Sequence, residues 1–135
     1  MSDSDFAYEW RGALTNDEVN SLHAEAFEHG PINDDWVGNL ERLSLGWVTA
    51  REGDELVGFV NILWDGVVHA FVVDTCVAKR VRRRGVGVEL IRVAREASVA
   101  AGCEWLHVDF DDDLRSFYYD ACGFEPTNAG LMRLR

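Results

Sequence analysis

Lysine is almost absent from this sequence, which carries only Lys79 beside 12 arginines, 13 aspartates and 11 glutamates. The formal net charge of the 135 residues is therefore −11 at pH 7. Such an acidic surface repels the phosphates of nucleic acids, so we do not expect the protein to bind them. The acidity suits the attraction of a cationic amine, but together with the lack of lysine it is also typical of adaptation to a salty cytoplasm.

Cysteine and long apolar runs are scarce as well. The cysteines Cys76, Cys103 and Cys122 are odd in number and widely spaced, which predicts neither a disulfide framework nor a metal site. No apolar run approaches the roughly 20 residues that span a bilayer, and the acidic residues 1–5 are unlike a signal peptide. We therefore expect one cytoplasmic domain over residues 1–135, with no metal and no membrane partner.

The order of the predicted elements indicates a mixed α/β domain. Thr15 and Glu18 form a capping box that opens a first helix. A helix connects the strand that ends at residue 77 with the strand that begins at residue 103. Such a strand–helix–strand connection is a right-handed crossover, so the fourth and fifth strands are expected to be parallel. The predicted strands cover residues 6–10, 47–51, 56–64, 67–77, 103–110 and 131–134, and the helices follow residue 15, cover residues 36–43 and 88–101, and end at residues 122–123.

The segment over residues 82–90, Arg-Arg-Arg-Gly-Val-Gly-Val-Glu-Leu, lies between an apolar strand and a helix. Amides at a helix N-terminus have no partner inside the helix and favour anions, and glycine lets a ligand approach the backbone closely. A P-loop would need Lys-Ser/Thr where Val88 and Glu89 stand, and a dinucleotide fingerprint would need glycine at Leu90. The remaining pattern, Arg-x-x-Gly-x-Gly, indicates a diphosphate site, with a solvated basic run or a small nucleic-acid patch as the alternatives.

Residues 82–87 resemble the acetyl-CoA pyrophosphate loop of the GNAT N-acetyltransferase superfamily. Residues 117–124, Phe-Tyr-Tyr-Asp-Ala-Cys-Gly-Phe, resemble the later aromatic-Tyr-x-x-x-Gly-Phe motif of the same family. The resemblance covers roughly residues 6–134. It implies an α/β (α+β) fold with a mixed central sheet of six to seven strands and about four helices, in which the parallel fourth and fifth strands splay apart to form the acetyl-CoA cleft.

The resemblance also implies which residues bind acetyl-CoA as the co-substrate. The end of the fourth strand would contact the pantetheine and the acetyl carbonyl through its backbone, and the glycine turn would hold the pyrophosphate. Asp112 stands where the family commonly has a pantetheine-binding asparagine, and a carboxylate accepts hydrogen bonds but donates none, so this contact differs or moves to a neighbour. The implied residues are Thr75, Cys76, Val77, Arg82, Arg83, Arg84, Gly85, Val86, Gly87, Val88 and Asp112.

Three residues are candidates for catalysis. Tyr119 matches the tyrosine of the second motif, which implies proton donation or a hydrogen bond to the leaving thiolate. His107 stands twelve residues earlier, at a position where the family often has its base, and strand alternation puts it on one face with Asp109. We expect His107 to act as the base and Asp109 to orient it or to bind the amine. A buried structural His–Asp pair is the alternative.

Further candidates for substrate contact are Asp74, Trp64 and His69. Asp74 interrupts an apolar strand and needs a partner if it is buried, whether its role is functional or structural. Trp64 and His69 flank the turn between the third and fourth strands. His23 and His29, on and after the first helix, are expected to be solvated.

These patterns predict an acetyl-CoA-dependent N-acetyltransferase that modifies a primary amine by direct transfer in a ternary complex, with the amide of Val77 polarising the thioester carbonyl. The short chain leaves little structure for a peptide groove, which favours a small-molecule acceptor. A protein N-terminus or lysine acetyltransferase is the alternative within the family. An acyl-CoA-binding module without catalysis is the alternative of another class. The sequence leaves open whether the protein is a monomer or a homodimer.

Overall fold

The structure of the protein is a computed structural model that describes residues 5–135, and the acidic residues 1–4 lie outside the described part. One five-stranded sheet organises the described residues, in the order β1-β2-β3-β4-β5. The first four strands form an antiparallel meander, and β5 runs parallel to β4. The strands are β1 (Phe6–Trp10), β2 (Ser44–Glu52), β3 (Glu55–Trp64), β4 (His69–Val77) and β5 (Trp105–His107).

Helices cover both faces of this sheet. Gly58 of β3 faces α3, where a Cβ would stand 2.9 Å from Val86 Cγ1, and the neighbouring Phe59 packs edge-on against Trp36 of α2 on the other face. None of the helices in the described residues is long and apolar enough to cross a membrane. The helices are α1 (Asn16–Phe27), α2 (Trp36–Leu43), α3 (Val86–Ala100) and the short π-helix α4 (Ser116–Ala121), with 3₁₀ turns at Lys79–Val81 and Asp112–Leu114.

The predicted capping box fixes the start of α1 and attaches the helix to the sheet. The Thr15 hydroxyl accepts from the amide of Glu18 (3.2 Å), and the Thr15 amide donates to the Glu18 carboxylate (3.0 Å). Arg51 of β2 donates to both oxygens of that carboxylate, at 2.8 and 2.9 Å. The hydrogen bond from Arg51 is the main reason that the pKa of Glu18 lies below its ordinary value.

The parallel arrangement of β4 and β5 is confirmed, and so is their divergence. Pairing covers only His69 to Phe71 of β4, opposite Trp105 to His107 of β5. Beyond Phe71, β4 continues to Val77 without a partner strand on that side. A wedge-shaped cleft therefore opens toward the carboxyl ends of the two strands.

The prediction of six to seven strands was wrong, because five form in the described residues. Residues 131–134 form no strand, and Leu131, Met132 and Leu134 are 80–87% exposed. A further strand would need an edge to pair with, and β5 offers only three residues because it ends at His107 rather than at residue 110. In addition, α3 begins two residues earlier than predicted, because Gly85 adopts the left-handed conformation and serves as its N-cap.

Candidate active site

The turn between β4 and α3 contains backbone amides that have no hydrogen-bond partner in the described part of the chain. Gly85 has φ +82° and Arg83 has φ +67°, which turns the chain sharply before α3 begins. Along the described residues, the amides of residues 86–88 have no hydrogen-bond partner, and the first bond of the helical turn runs from the amide of Glu89 to the carbonyl of Gly85 (3.1 Å). No heavy atom lies within 4 Å of the point where a Cβ of Gly85 would stand. The turn is open, and its chemistry fits a phosphate.

The arginines of this turn have different roles. Arg82 donates to the carbonyls of Val77 (3.2 Å) and Ala26 (3.4 Å), so it ties the turn to β4 and α1. Arg84 forms an ion pair with Glu52 of β2 (3.8 Å), and its guanidinium lies over the ring of Phe6 of β1. Within residues 5–135, the guanidinium of Arg83 makes no hydrogen bond or ion pair and is exposed. Arg83 is therefore the arginine of the run that is free to meet an anion.

Gly87 serves packing more than ligand approach. A Cβ at this position would lie 3.0 Å from Cε1 and Cζ of Phe117, tighter than an ordinary contact. The missing side chain lets α4 lie close to the first turn of α3. Sequence reasoning assigned both glycines to the phosphate, and nothing in the local pattern indicated that Phe117, thirty residues later, is the neighbour.

A β-bulge interrupts β4 in the middle of the site. Asn61 of β3 pairs with Val73 and Phe59 with Cys76, so Asp74 and Thr75 together stand opposite a single residue of β3. Asp74 has φ +57°, a conformation that aspartate tolerates better than most side chains. Its carboxylate is directed to α1, whereas the hydroxyl of Thr75 meets α4. The bulge therefore presents two polar groups to two different parts of the site.

The two neighbouring tyrosines of α4 are placed differently. The hydroxyl of Tyr118 donates to the Thr75 hydroxyl (3.2 Å), and the ring is buried and stacks on Phe110. Burial raises the pKa of Tyr118, which keeps the hydroxyl protonated at neutral pH. Tyr119, half-buried, meets Phe110 edge-on (5.2 Å) and lies under the guanidinium of Arg115 (5.1 Å). Because the two tyrosines lie on a π-helix, their side chains do not follow the 100° spacing of successive residues in an α-helix.

His107 pairs with a histidine rather than with an aspartate. Its Nε2 lies 2.9 Å from Nδ1 of His69, and its ring stacks on Phe71 (4.6 Å). β5 ends at His107, so the strand alternation does not continue to Asp109, and no hydrogen bond joins His107 to Asp109 in the described chain. The pair lies at the closed end of the cleft, where β4 and β5 are still hydrogen-bonded.

The remaining candidates are spread over both faces of the sheet. Trp64 pairs with Ala70 and faces the side of α3, opposite to the face that carries His69. Asp112 is exposed and lies 3.6 Å from Arg115. Cys76 is fully buried, and burial raises the pKa of its thiol well above the ordinary range. The buried thiol therefore stays protonated at neutral pH.

An acidic pocket lies between α2, β3 and the bulge. Its volume is about 250 Å³. Asp34 and Asp74 are the acidic residues of its wall. The other lining residues are either uncharged polar residues or apolar residues. The lining residues are Asp34, Trp36, Asn39, Leu40, Leu43, Ser44, Asn61, Leu63 and Asp74.

His23 reaches the edge of this pocket, and the expectation that it is solvated was wrong. Its Nε2 lies 3.1 Å from Oδ1 of Asp74, with only 17% of the His23 side chain exposed. Its Nδ1 lies 2.7 Å from Nε2 of His29. A usable signal was present in the sequence, since His23 follows Val19 by one helical turn and shares the inward face of α1, and Asp74 needed a partner.

Comparisons with known proteins agree on one fold. A sequence model of the acetyltransferase (GNAT) family matches residues 7–124. A probable acetyltransferase from meticillin-resistant Staphylococcus aureus is 18% identical, with a TM-score of 0.78 over 96% of this chain and 98% of that one. An aminoglycoside acetyltransferase from an uncultured soil metagenomic sample is 18% identical, with a TM-score of 0.72 over 98% and 99%. Glucosamine-6-phosphate N-acetyltransferase from Arabidopsis thaliana is 11% identical, with a TM-score of 0.74 over 94% and 97%. No curated protein matches the sequence.

Proposed function

The chain belongs to the acetyltransferase (GNAT) family, and on that premise we propose that it transfers an acetyl group from acetyl-CoA to a primary amine of a small molecule. The observation that carries the proposal is the cleft beside β4. Pairing with β5 stops at Phe71, and the open N-terminus of α3 follows directly after the unpaired end of β4. An extended backbone edge and a free set of helix amides suit a ligand that has both a pantetheine arm and a diphosphate.

In this proposal, backbone groups make more of the contacts to acetyl-CoA than side chains do. The amides of residues 86–88, with Gly85 and the free Arg83, would hold the pyrophosphate. The unpaired edge of Thr75, Cys76 and Val77 would hold the pantetheine. Arg82 and Arg84 would support the turn from their present partners rather than contact the ligand, because both guanidinium groups are already engaged. Asp112 stays a proposed neighbour of the pantetheine arm.

The acceptor would occupy the acidic pocket on the other side of the bulge. Asp34 and Asp74 attract an ammonium group, while Trp36 and Leu63 suit its carbon skeleton. A volume of about 250 Å³ fits a small molecule better than a folded protein surface. The names of two similar structures, an aminoglycoside acetyltransferase and a glucosamine-6-phosphate N-acetyltransferase, support an amine-bearing small molecule as the acceptor class.

Acetyl transfer needs two protons to be moved. When bound, acetyl-CoA supplies a thioester whose C–S bond breaks as the N–C bond forms. The acceptor ammonium must lose one proton before its nitrogen can attack, and Asp74, the residue of the bulge that lines the pocket, would take it. The amide of Val77 would polarise the carbonyl, and the hydroxyl of Tyr119 would donate a hydrogen bond or a proton to the departing sulfur. The nitrogen loses its second proton as the C–S bond breaks, and this proton balances the one that the sulfur takes up.

A thiol-release assay tests this proposal. Purified protein and acetyl-CoA are mixed with a panel of small primary amines, free CoA thiol is followed, and the acetylated product is identified by mass spectrometry. We expect turnover with at least one cationic amine and none with its N-acetylated form. If calorimetry detects CoA binding while no amine, peptide N-terminus or lysine peptide releases thiol, the protein is an acyl-CoA-binding module without catalysis.

Asp74→Asn is the matched variant, since asparagine has the same shape and also tolerates the left-handed backbone of the bulge. Loss of the carboxylate should lower kcat/KM for the amine by roughly 10²-fold or more. The affinity for CoA, measured by calorimetry, should not change. Equal weakening of CoA binding would mean that the variant disturbs β4 rather than the acceptor pocket.

A further inference from the structure

A continuous hydrogen-bonded chain connects the acidic pocket with the surface. Asp74 Oδ1 lies 3.1 Å from His23 Nε2, and His23 Nδ1 lies 2.7 Å from His29 Nε2. His29 Nδ1 lies 2.7 Å from the carbonyl oxygen of Gly30. His29 is exposed, whereas His23 is largely buried, with only 17% of its side chain exposed. The chain therefore has a sheltered end in the pocket and an open end in solvent.

The two ends of this chain determine how many protons it holds. An ionised carboxylate and a backbone carbonyl are both acceptors only, and each neutral imidazole carries a single N–H. Three hydrogen bonds need three protons, but two neutral histidines supply two. All three contacts are therefore satisfied only after the chain has taken up one additional proton. Without it, two acceptors face each other at one of the three contacts.

The geometry points to a proton relay, in which Asp74 takes the proton of the acceptor ammonium and His23 and His29 pass it to solvent. This inference rests on the proposed function. The N–H bond of the ammonium breaks and its electron pair stays on nitrogen, ready to attack the thioester. The proton joins the chain at Asp74, and an equivalent proton leaves to water from His29. His23 and His29 act through Asp74: by removing its proton to solvent, they return it to the ionised form that accepts the next proton.

The left-handed conformation of Asp74 supports this assignment. A regular strand residue at this position would follow the alternation of β4, but the bulge turns the carboxylate toward α1 and His23. Other charged side chains on the surrounding segments have their own partners. Glu28 pairs with Lys79, Glu25 accepts from the Lys79 amide, and Arg82 donates to backbone carbonyls. Asp34 is the further carboxylate of the pocket and would help to hold the ammonium.

Nuclear magnetic resonance of the ligand-free protein tests the chain without any assay of activity. With ¹⁵N-labelled histidine, long-range ¹H–¹⁵N spectra report which ring nitrogens carry protons. We expect a proton at Nδ1 of His29 and at Nε2 of His23, because the carbonyl of Gly30 and the carboxylate of Asp74 can only accept. Asp74→Asn should change the tautomer of His23, because an amide can also donate, and should leave His29 protonated at Nδ1. A His29 ring protonated only at Nε2, or a wild-type His23 ring without a proton at Nε2, would overturn the relay.

Kinetics supply the second test. His23→Gln keeps an amide near the position of Nε2 but cannot pass a proton, and it should lower kcat/KM for the amine by roughly 10²-fold at neutral pH. His23→Gly should be partly restored by added imidazole. His29→Gln should show a smaller loss, because water can replace an exposed ring. Phe27→Leu is the packing control, since Phe27 touches the His23 ring (4.5 Å) without belonging to the chain, and it should keep wild-type rates.

The outcomes separate this inference from the proposed function. If no amine releases thiol, the function fails while the magnetic resonance result still decides the relay. If acetyl transfer is observed but His23→Gln has a wild-type pH–rate profile between about pH 5 and 9, the relay is wrong. If His107→Gln rather than His23→Gln changes the acidic limb of that profile, proton removal belongs to the His69–His107 pair instead.

Discussion

Replacing Gly85 by valine tests the acetyl-CoA site most directly. Apart from the adjoining residues, no heavy atom lies within 4 Å of the Cβ position, so the Cβ of the new side chain has room in the open turn. The cost to the fold is mainly backbone strain, because Gly85 has φ +82° and an L-residue in such a conformation costs about 1–3 kcal/mol. The protein should therefore fold with a lower melting temperature.

The effect on ligand affinity should be larger. Position 85 is the N-cap, directly before the free amides of residues 86–88, and we expect a side chain there to keep a phosphate away from them. Losing two hydrogen bonds to a charged phosphate, at about 1.5–3 kcal/mol each, amounts to about 3–6 kcal/mol. Since about 1.4 kcal/mol is a factor of ten, the Kd for CoA should rise roughly 10²–10⁴-fold in calorimetric titrations.

Gly102→Val is the matched control. Gly102 has φ +91° and also has no heavy atom within 4 Å of its Cβ position. It lies beyond the other end of α3, whose 15 residues span about 22 Å at 1.5 Å per residue. It should lose similar stability and keep the affinity for CoA. An unchanged Kd in folded Gly85→Val, or equal weakening in both variants, would refute the assignment of the turn to the pyrophosphate.

Two other sets of variants probe the two tyrosines of α4 and the N-terminus of α1. Tyr119→Phe should lower kcat by roughly 10²–10⁴-fold with little change in CoA affinity. Tyr118→Phe should instead cost about 1–2 kcal/mol of stability, because the Thr75 hydroxyl loses its hydrogen-bond donor. If steady-state kinetics show the reverse pattern, Tyr118 is the residue that contacts the leaving thiolate. Glu18→Gln keeps the capping geometry but removes the charge paired with Arg51, and should lower the free energy of unfolding by about 1–2 kcal/mol at pH 7. Because the folded pKa of Glu18 is depressed, this stabilisation is fully present above about pH 4.3 and is lost as the pH falls through the folded pKa; a pH-independent difference in urea denaturation would contradict it.

Features that depend on near neighbours in the chain were predictable from the sequence. The Thr15–Glu18 capping box spans three residues, and the Gly85 turn needs only a strand before it and a helix after it. The parallel pairing of β4 and β5 followed from the handedness of one crossover. The family resemblance, now supported by the match over residues 7–124, contributed the expected order of elements.

Features that depend on distant partners were not predictable. His23 and Asp74 are 51 residues apart, and their contact depends on an extra residue in β4 that no periodicity reveals. The expected partnership of His107 with Asp109 assumed that β5 continues, and the strand stops at His107. The strand predicted at residues 131–134 has a suitable local pattern, but a strand also requires an edge to pair with.

The bulge at Asp74 and Thr75 also determines which changes of chain length this site tolerates. Deleting one of the two residues would leave a single residue opposite Val60, while Cys76 and Val77 would keep their partners Phe59 and Gly58 and therefore their faces. The strand would survive, but the site would lose either the carboxylate that meets His23 or the hydroxyl that meets Tyr118. The hairpin turns at Gly53 and Gly66, by contrast, have open space around them and can vary in length. Within a family of such sequences, insertions and deletions should therefore collect at these turns and be excluded between residues 73 and 76.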